Sequence, residues 1–168
     1  PIAIHPTFIP HGAADGIFSW PREGRAWGEM IWLRSVVQQV LISYMALGTL
    51  DRFPNLKLGI LEVGCGWVGA MLDRLDAYSN AINAIGKKRS ASDYFRDQCF
   101  ISGDPDETTA PHTIAHVGID NFMWATDYPH PDHPDTWVDA LTNFVKPLSV
   151  DARQKFLGEN VKRIYKLT

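Results

Sequence analysis

The sequence predicts an α/β fold, and three observations carry that prediction. Short apolar runs give way to stretches with helical spacing four times in succession. Each apolar run ends in residues that stop a strand, such as Gly64 and Pro129. Strand-then-helix units repeated in this way require a parallel sheet, because parallel strands need crossover connections and those are most often helices.

The elements follow in order. Pro1-Ile2-Ala3-Ile4-His5 reads as a strand that is under way when the chain begins, as if this were the middle of something larger. Phe8 to Gly28, with its prolines, four glycines, Trp20 and Trp27, reads as a long loop held by aromatic anchors. From Glu29 to Leu50, Leu33, Val36, Val37, Val40, Leu41, Tyr44 and Leu47 recur at three and four spacings, so one helix face is buried, with Gly48 and Pro54 as its stop. Leu56 to Leu61 is the second strand, and Glu62-Val63-Gly64-Cys65-Gly66 its turn. Val68, Met71, Leu72, Leu75 and Ile82 form the next helical stripe. The third unit joins a strand at Gln98 to Ser102 to a helix opened by Asp104-Pro105-Asp106-Glu107 and running to about His116. Phe122 to Thr126 begins the fourth, its helix spanning Asp135 to Val145; Ser149 then caps a last helical segment through Ile164 and Tyr165. No repeat, low-complexity tract or linker divides the 168 residues, so residues 1–168 read as one domain.

Composition narrows the function. With 45% hydrophobic and 21% charged residues the chain can bury a core, and a net charge of −3 with no basic run beyond Lys87-Lys88-Arg89 argues against nucleic acid or an acidic membrane as partner. Cys65 and Cys99 share no metal-finger or redox spacing and read as buried thiols; with no secretory segment or long apolar run, a cytoplasmic setting is expected.

Chemistry is expected at Ala125-Thr126-Asp127-Tyr128-Pro129-His130. There a carboxylate and an imidazole stand just past the apolar run ending at Trp124, at the C-terminal lip of a strand where α/β enzymes place metal ligands and general bases. A catalytic divalent metal takes imidazole and carboxylate donors around an open position. His5 and Asp127 offer two such donors, where catalytic zinc usually takes three protein ligands, so weak or absent metal binding by this chain alone is expected. Zinc is the first choice, with manganese or iron as alternatives.

Together, Pro54-Asn55-Leu56 through Gly66-Trp67, Arg74-Leu75-Asp76, Tyr94 through Ser102, Ala125 through Asp132 and Leu157-Gly158-Glu159-Asn160 resemble the amidohydrolase-related family. That is the branch of metal-dependent hydrolases containing aromatic-acid and aminocarboxymuconate-semialdehyde decarboxylases. The resemblance implies a (β/α)8 TIM-type barrel of which this chain is about the last four βα units, a whole barrel taking about 250 residues. It implies that His5 is the fifth-strand metal ligand and that Asp127 is the eighth-strand ligand that also handles a proton. Glu62 stands where the decarboxylases commonly carry a catalytic histidine, and the paired ligands of the opening strand do not occur here. The activity implied is that of a metal-dependent hydrolase or decarboxylase on a small carboxylated or cyclic substrate.

Each of these residues also has a plainer use. His5 could be a hydrogen-bonded lip residue, Asp127 a helix cap, and Glu62 the partner of Arg74 or a carboxylate that orients a neighbouring ligand. His130, His11 and Trp20 are candidate substrate contacts, yet His130 could be a turn residue and Trp20, with Trp27 and Trp67, could serve only to bury apolar area. The contrasting reading is an inactive half-barrel that self-associates as a homo-oligomer, covering its open strand edges with a second copy.

Overall fold

The computed structural model describes residues 1–6, 19–82, 89–126, 128 and 136–167. Its centre is one four-stranded parallel sheet in the order β1 (Ile2–Ile4), β2 (Leu58–Ile60), β3 (Cys99–Gly103) and β4 (Phe122–Trp124). Order in space follows order in the chain, as crossover units of one hand produce. The register sets Ile4 against Ile60, Ile60 against Ile101, and Ile101 against Phe122, so one row of large apolar residues crosses all four strands. All residues of β2 and β3 are buried, the continuous apolar pattern of strands covered on both faces. β1 differs: Ile2 and Ala3 are exposed on the outer edge.

Between β1 and β2 run α1 (Arg22–Ala46) and the short α2 (Thr49–Arg52). The 25 residues of α1 span about 37 Å, far more than a three-residue strand needs. Val37, Leu41 and Met45 bury its C-terminal half. The helix starts at Arg22, seven residues before Glu29, so the expected loop to Gly28 is too long. Pro21 supplies the extended entry, and Gly24 and Gly28, which suggested a loop, are carried inside the helix at roughly 1 kcal/mol each relative to alanine. Gly48 adopts the left-handed conformation at φ 71°, ending α1 as expected.

After β2 come α3 (Val68–Ile82) and α4 (Ala91–Gln98). The sequence reading passed over α4, whose capping box pairs the Ser90 hydroxyl with the Asp93 N–H and the Asp93 carboxylate with the Ser90 N–H. Gln98 therefore ends a helix and β3 begins at Cys99. The acidic run after β3 does not start a helix either. Residues 104–109 are turns, and α5 (Ala110–Val117) opens with Pro111 in its first turn. α6 (Trp137–Val145) follows β4, and Ser149 caps α7 (Val150–Gln154) by accepting the Ala152 N–H, as expected. A π-helical turn, Lys155–Glu159, leads into α8 (Asn160–Tyr165).

The N-terminal ends of β2, β3 and β4 are closed by buried carboxamides. Gln98 Nε2 donates to the carbonyls of Leu50, Phe53 and Leu56 ahead of β2. Asn121 Nδ2 reaches those of Phe95, Arg96 and Cys99 at the start of β3. Asn160 Nδ2 reaches Ile119 at 2.8 Å and Phe122 at 2.7 Å at the start of β4. Between these staples and the opposite rim lies an apolar core that includes Leu41, Leu58, Ile60, Phe95, Ile101, Phe122 and Phe156. Both cysteines are free and buried, as expected. Burial pushes the Cys99 thiol up to about 12. Among the described residues, no helix is long and apolar enough to cross a membrane.

Replacing Asn160 by alanine takes a donor from two carbonyls at a position only 1% exposed, and should cost about 1–3 kcal/mol in urea unfolding.

Candidate metal centre

The C-terminal ends of the strands share one rim, and two residues proposed from the sequence meet there. His5 follows β1 directly and precedes Pro6, which favours extended backbone at His5. Its Nδ1–H donates to the Pro6 carbonyl at 2.6 Å, which leaves Nε2 turned to the Glu62 carboxylate, with which it forms an ion-pair contact. A ring held through one nitrogen presents the other as a donor atom, the arrangement metal-binding histidines use. Glu62, the carboxylate proposed from the sequence at this position, therefore meets His5.

Glu62 is held there at a conformational cost. Its φ is 57°, left-handed backbone that costs a residue with a side chain about 1 kcal/mol or more. The strand ladder continues one residue past β2, through Leu61 N–H to the Ile4 carbonyl, and then the Glu62 N–H turns to the Ser102 hydroxyl on β3 at 3.2 Å. The loop that follows is fastened on both sides. Arg34 of α1 donates through Nε to the Val63 carbonyl at 3.0 Å, and the Trp67 indole donates to the carbonyls of Val63 and Gly64. The Thr113 hydroxyl donates to the Gly66 carbonyl. On the other side, Cys65 and Gly66 donate their N–H groups to Glu107 at 2.7 and 3.0 Å. Gly64, at φ 65°, makes the turn; a Cβ there would stand 2.4 Å from the Glu107 carboxylate. The glycines thus permit a tight turn, as the sequence suggested, and also leave room for an acid it did not implicate. Burial, with Glu107 beside it, raises the Cys65 thiol well above its ordinary range.

Trp20 stands at half exposure just ahead of α1, and Trp27 is 82% exposed on its first turns. Because Arg34 meets the rim at Val63, the dozen residues of α1 before it extend about 18 Å further. The structure joins His5 to Glu62. Asp127, His130 and His11 lie outside the described residues. Among the described residues, no group of three or more histidine, cysteine or acidic side chains could hold a metal ion. The rim there supplies two convergent groups, an imidazole and a carboxylate, both suited to a divalent cation.

Sequence reasoning missed Ser102, Arg34 and Glu107. Glu107 had a signal in Asp104-Pro105-Asp106-Glu107, which was read as a helix start because acids favour helix N-termini. Its carboxylate does bind backbone N–H groups, those of the β2–α3 loop and of Asp104.

Comparison with known proteins extends this geometry. The amidohydrolase family profile matches residues 1–167. No curated protein matches the chain. Among solved structures, 5-carboxyvanillate decarboxylase from Sphingomonas paucimobilis is 26% identical with a TM-score of 0.69, the match covering 99% of this chain and 49% of that one. The 5-carboxyvanillate decarboxylase of Novosphingobium aromaticivorans, solved with manganese bound, is 20% identical with a TM-score of 0.76 over 99% of this chain and 48% of that one. The 2,6-dihydroxybenzoate decarboxylase of Rhizobium is 23% identical with a TM-score of 0.66 over 98% and 50%. The chain spans about half the length of each of these three structures. With its parallel strands in consecutive order and the family profile matched from end to end, this chain belongs to the amidohydrolase family and forms part of its TIM-type barrel.

Proposed function

We propose that the chain supplies the C-terminal half of a metal-dependent decarboxylase or hydrolase site for a small carboxylated or cyclic substrate. The observation that supports this reading most directly is the approach of His5 Nε2 to the Glu62 carboxylate across adjacent strand ends, with Glu62 in left-handed backbone. Strained backbone concentrates where geometry serves chemistry.

In this reading His5 and Asp127 hold a divalent metal. The metal would polarise a substrate oxygen or make bound water more acidic. Imidazole and carboxylate donors suit zinc, manganese and iron, and the manganese in the Novosphingobium decarboxylase makes manganese the first ion to try. The Pro6 carbonyl fixes the ring of His5 through Nδ1, and Glu62 stands beside Nε2, the atom that would face the metal. Asp127 accepts a proton from water in hydrolysis, or returns one to the carbon that has lost carbon dioxide in decarboxylation. His130, His11 and Trp20 are the proposed substrate contacts, Trp20 offering a flat apolar surface to a ring.

Manganese titrated into the isotopically labelled chain should broaden NMR signals at His5, Glu62 and residues 126–128 first, and His5→Ala should remove that preference. Broadening that centres elsewhere, or is unchanged in the variant, would sink the assignment.

The exposed outer edge of β1 supports a second reading, in which the chain self-associates and a second copy covers that edge. Light scattering should then give about twice the chain mass; a monomer throughout a concentration series excludes it.

The strain at Glu62 predicts a trade between stability and site chemistry. Glu62→Gly should raise unfolding stability by about 1 kcal/mol while abolishing the His5 contact. A loss of stability of that size would instead show that the ion pair outweighs the strain.

A further inference from the structure

We propose that Glu107 is the positioning residue of the site, its carboxylate holding the loop that presents Glu62 to His5. The proposal rests on the reading above in taking the Glu62–His5 pair as part of the working site.

The argument starts from the N–H groups of the β2–α3 loop. Left-handed backbone at Glu62 and again at Gly64 turns the chain so that successive N–H groups, those of Cys65 and Gly66, point the same way. Such a pair forms an anion-binding concavity. Here the anion is the protein's own: Glu107 Oε2 accepts from Cys65 and Oε1 from Gly66, and Oε2 also takes the Asp104 N–H at 3.3 Å. Gly64 and Gly66 approach this carboxylate so closely that a Cβ would stand 2.4 and 3.3 Å from Glu107 Oε1. Glu107 is thus the bridge from the β3–α5 loop to the β2–α3 loop.

Its position also gives it leverage. The remaining fastenings of residues 63–66 by side chains, from Arg34, Trp67 and Thr113, hold carbonyls. Among the described residues, Glu107 is the side chain that holds the loop's N–H groups beyond Glu62. Without its charge the concavity loses its occupant, and Glu62 can return to ordinary negative φ. That relaxation swings its carboxylate away from His5, because a change of φ at Glu62 redirects the side chain itself. The Ser102 hydroxyl, a neutral acceptor at 3.2 Å, is a weaker restraint than a carboxylate.

The test uses the metal-free chain, so it reads this proposal whether or not the site binds metal. In Glu107→Gln, which keeps the shape and removes the charge, exchange of the Cys65, Gly66 and Asp104 amides should accelerate about tenfold or more. The ring nitrogen resonance of His5, at one fixed pH, should move to the value found in Glu62→Gln. Glu107→Asp, which keeps the charge on a shorter arm, should recover part of both signals. If exchange accelerates while the His5 resonance stays at its wild-type value, Glu107 is a fold staple and the proposal is overturned. Should the glutamine variant not fold, the wild-type chain still decides: unprotected amides at Cys65 and Gly66 would overturn the proposal, and protection well above that of neighbouring loop amides supports it.

Discussion

The entries to β2, β3 and β4 each gather several backbone carbonyls at buried or half-buried positions, and the structure depends on side-chain donors that tie those carbonyls together. Three buried carboxamides meet the need: Gln98 ahead of β2, Asn121 at β3 and Asn160 at β4. Each offers a two-hydrogen amide to two or three carbonyls at once. A buried carbonyl that loses its donor costs about 1–3 kcal/mol, so each of these side chains matters to a fold of ordinary marginal stability.

The two ends of the sheet are therefore built from different chemistry. The end where β2, β3 and β4 begin is closed by amide–carbonyl bonds. The end where they finish carries imidazole, carboxylate and guanidinium groups, and keeps one residue, Glu62, in a conformation it would not choose. Barrel enzymes divide stability and catalysis between the same two ends. Here two rims of different make-up are already present in four strands, because every parallel strand starts at one end and finishes at the other.

Much of the architecture was legible in the sequence. The switch from apolar runs to helical spacing marked all four units, and Ser149 announced its helix by type and place. The failures were local. Eight residues gave α4 too short a stripe to register, and two glycines hid the first turns of α1. At the site, His5 and Glu62 were each proposed on separate grounds, but their pairing was not, since 57 residues separate them and only the strand order makes them neighbours. Glu107 was misassigned for a physical reason: a helix N-terminus and a loop concavity attract the same carboxylate, and sequence alone does not tell them apart.

The amide staples also set an order in time. The side chain that closes the entry to each strand comes from later in the chain: Gln98 for β2, Asn121 for β3, Asn160 for β4. A chain emerging from the ribosome cannot complete one strand's entry until the following unit has left the exit tunnel. Folding of β2, β3 and β4 during synthesis therefore lags by one unit, and α8, by supplying Asn160, closes the entry to β4.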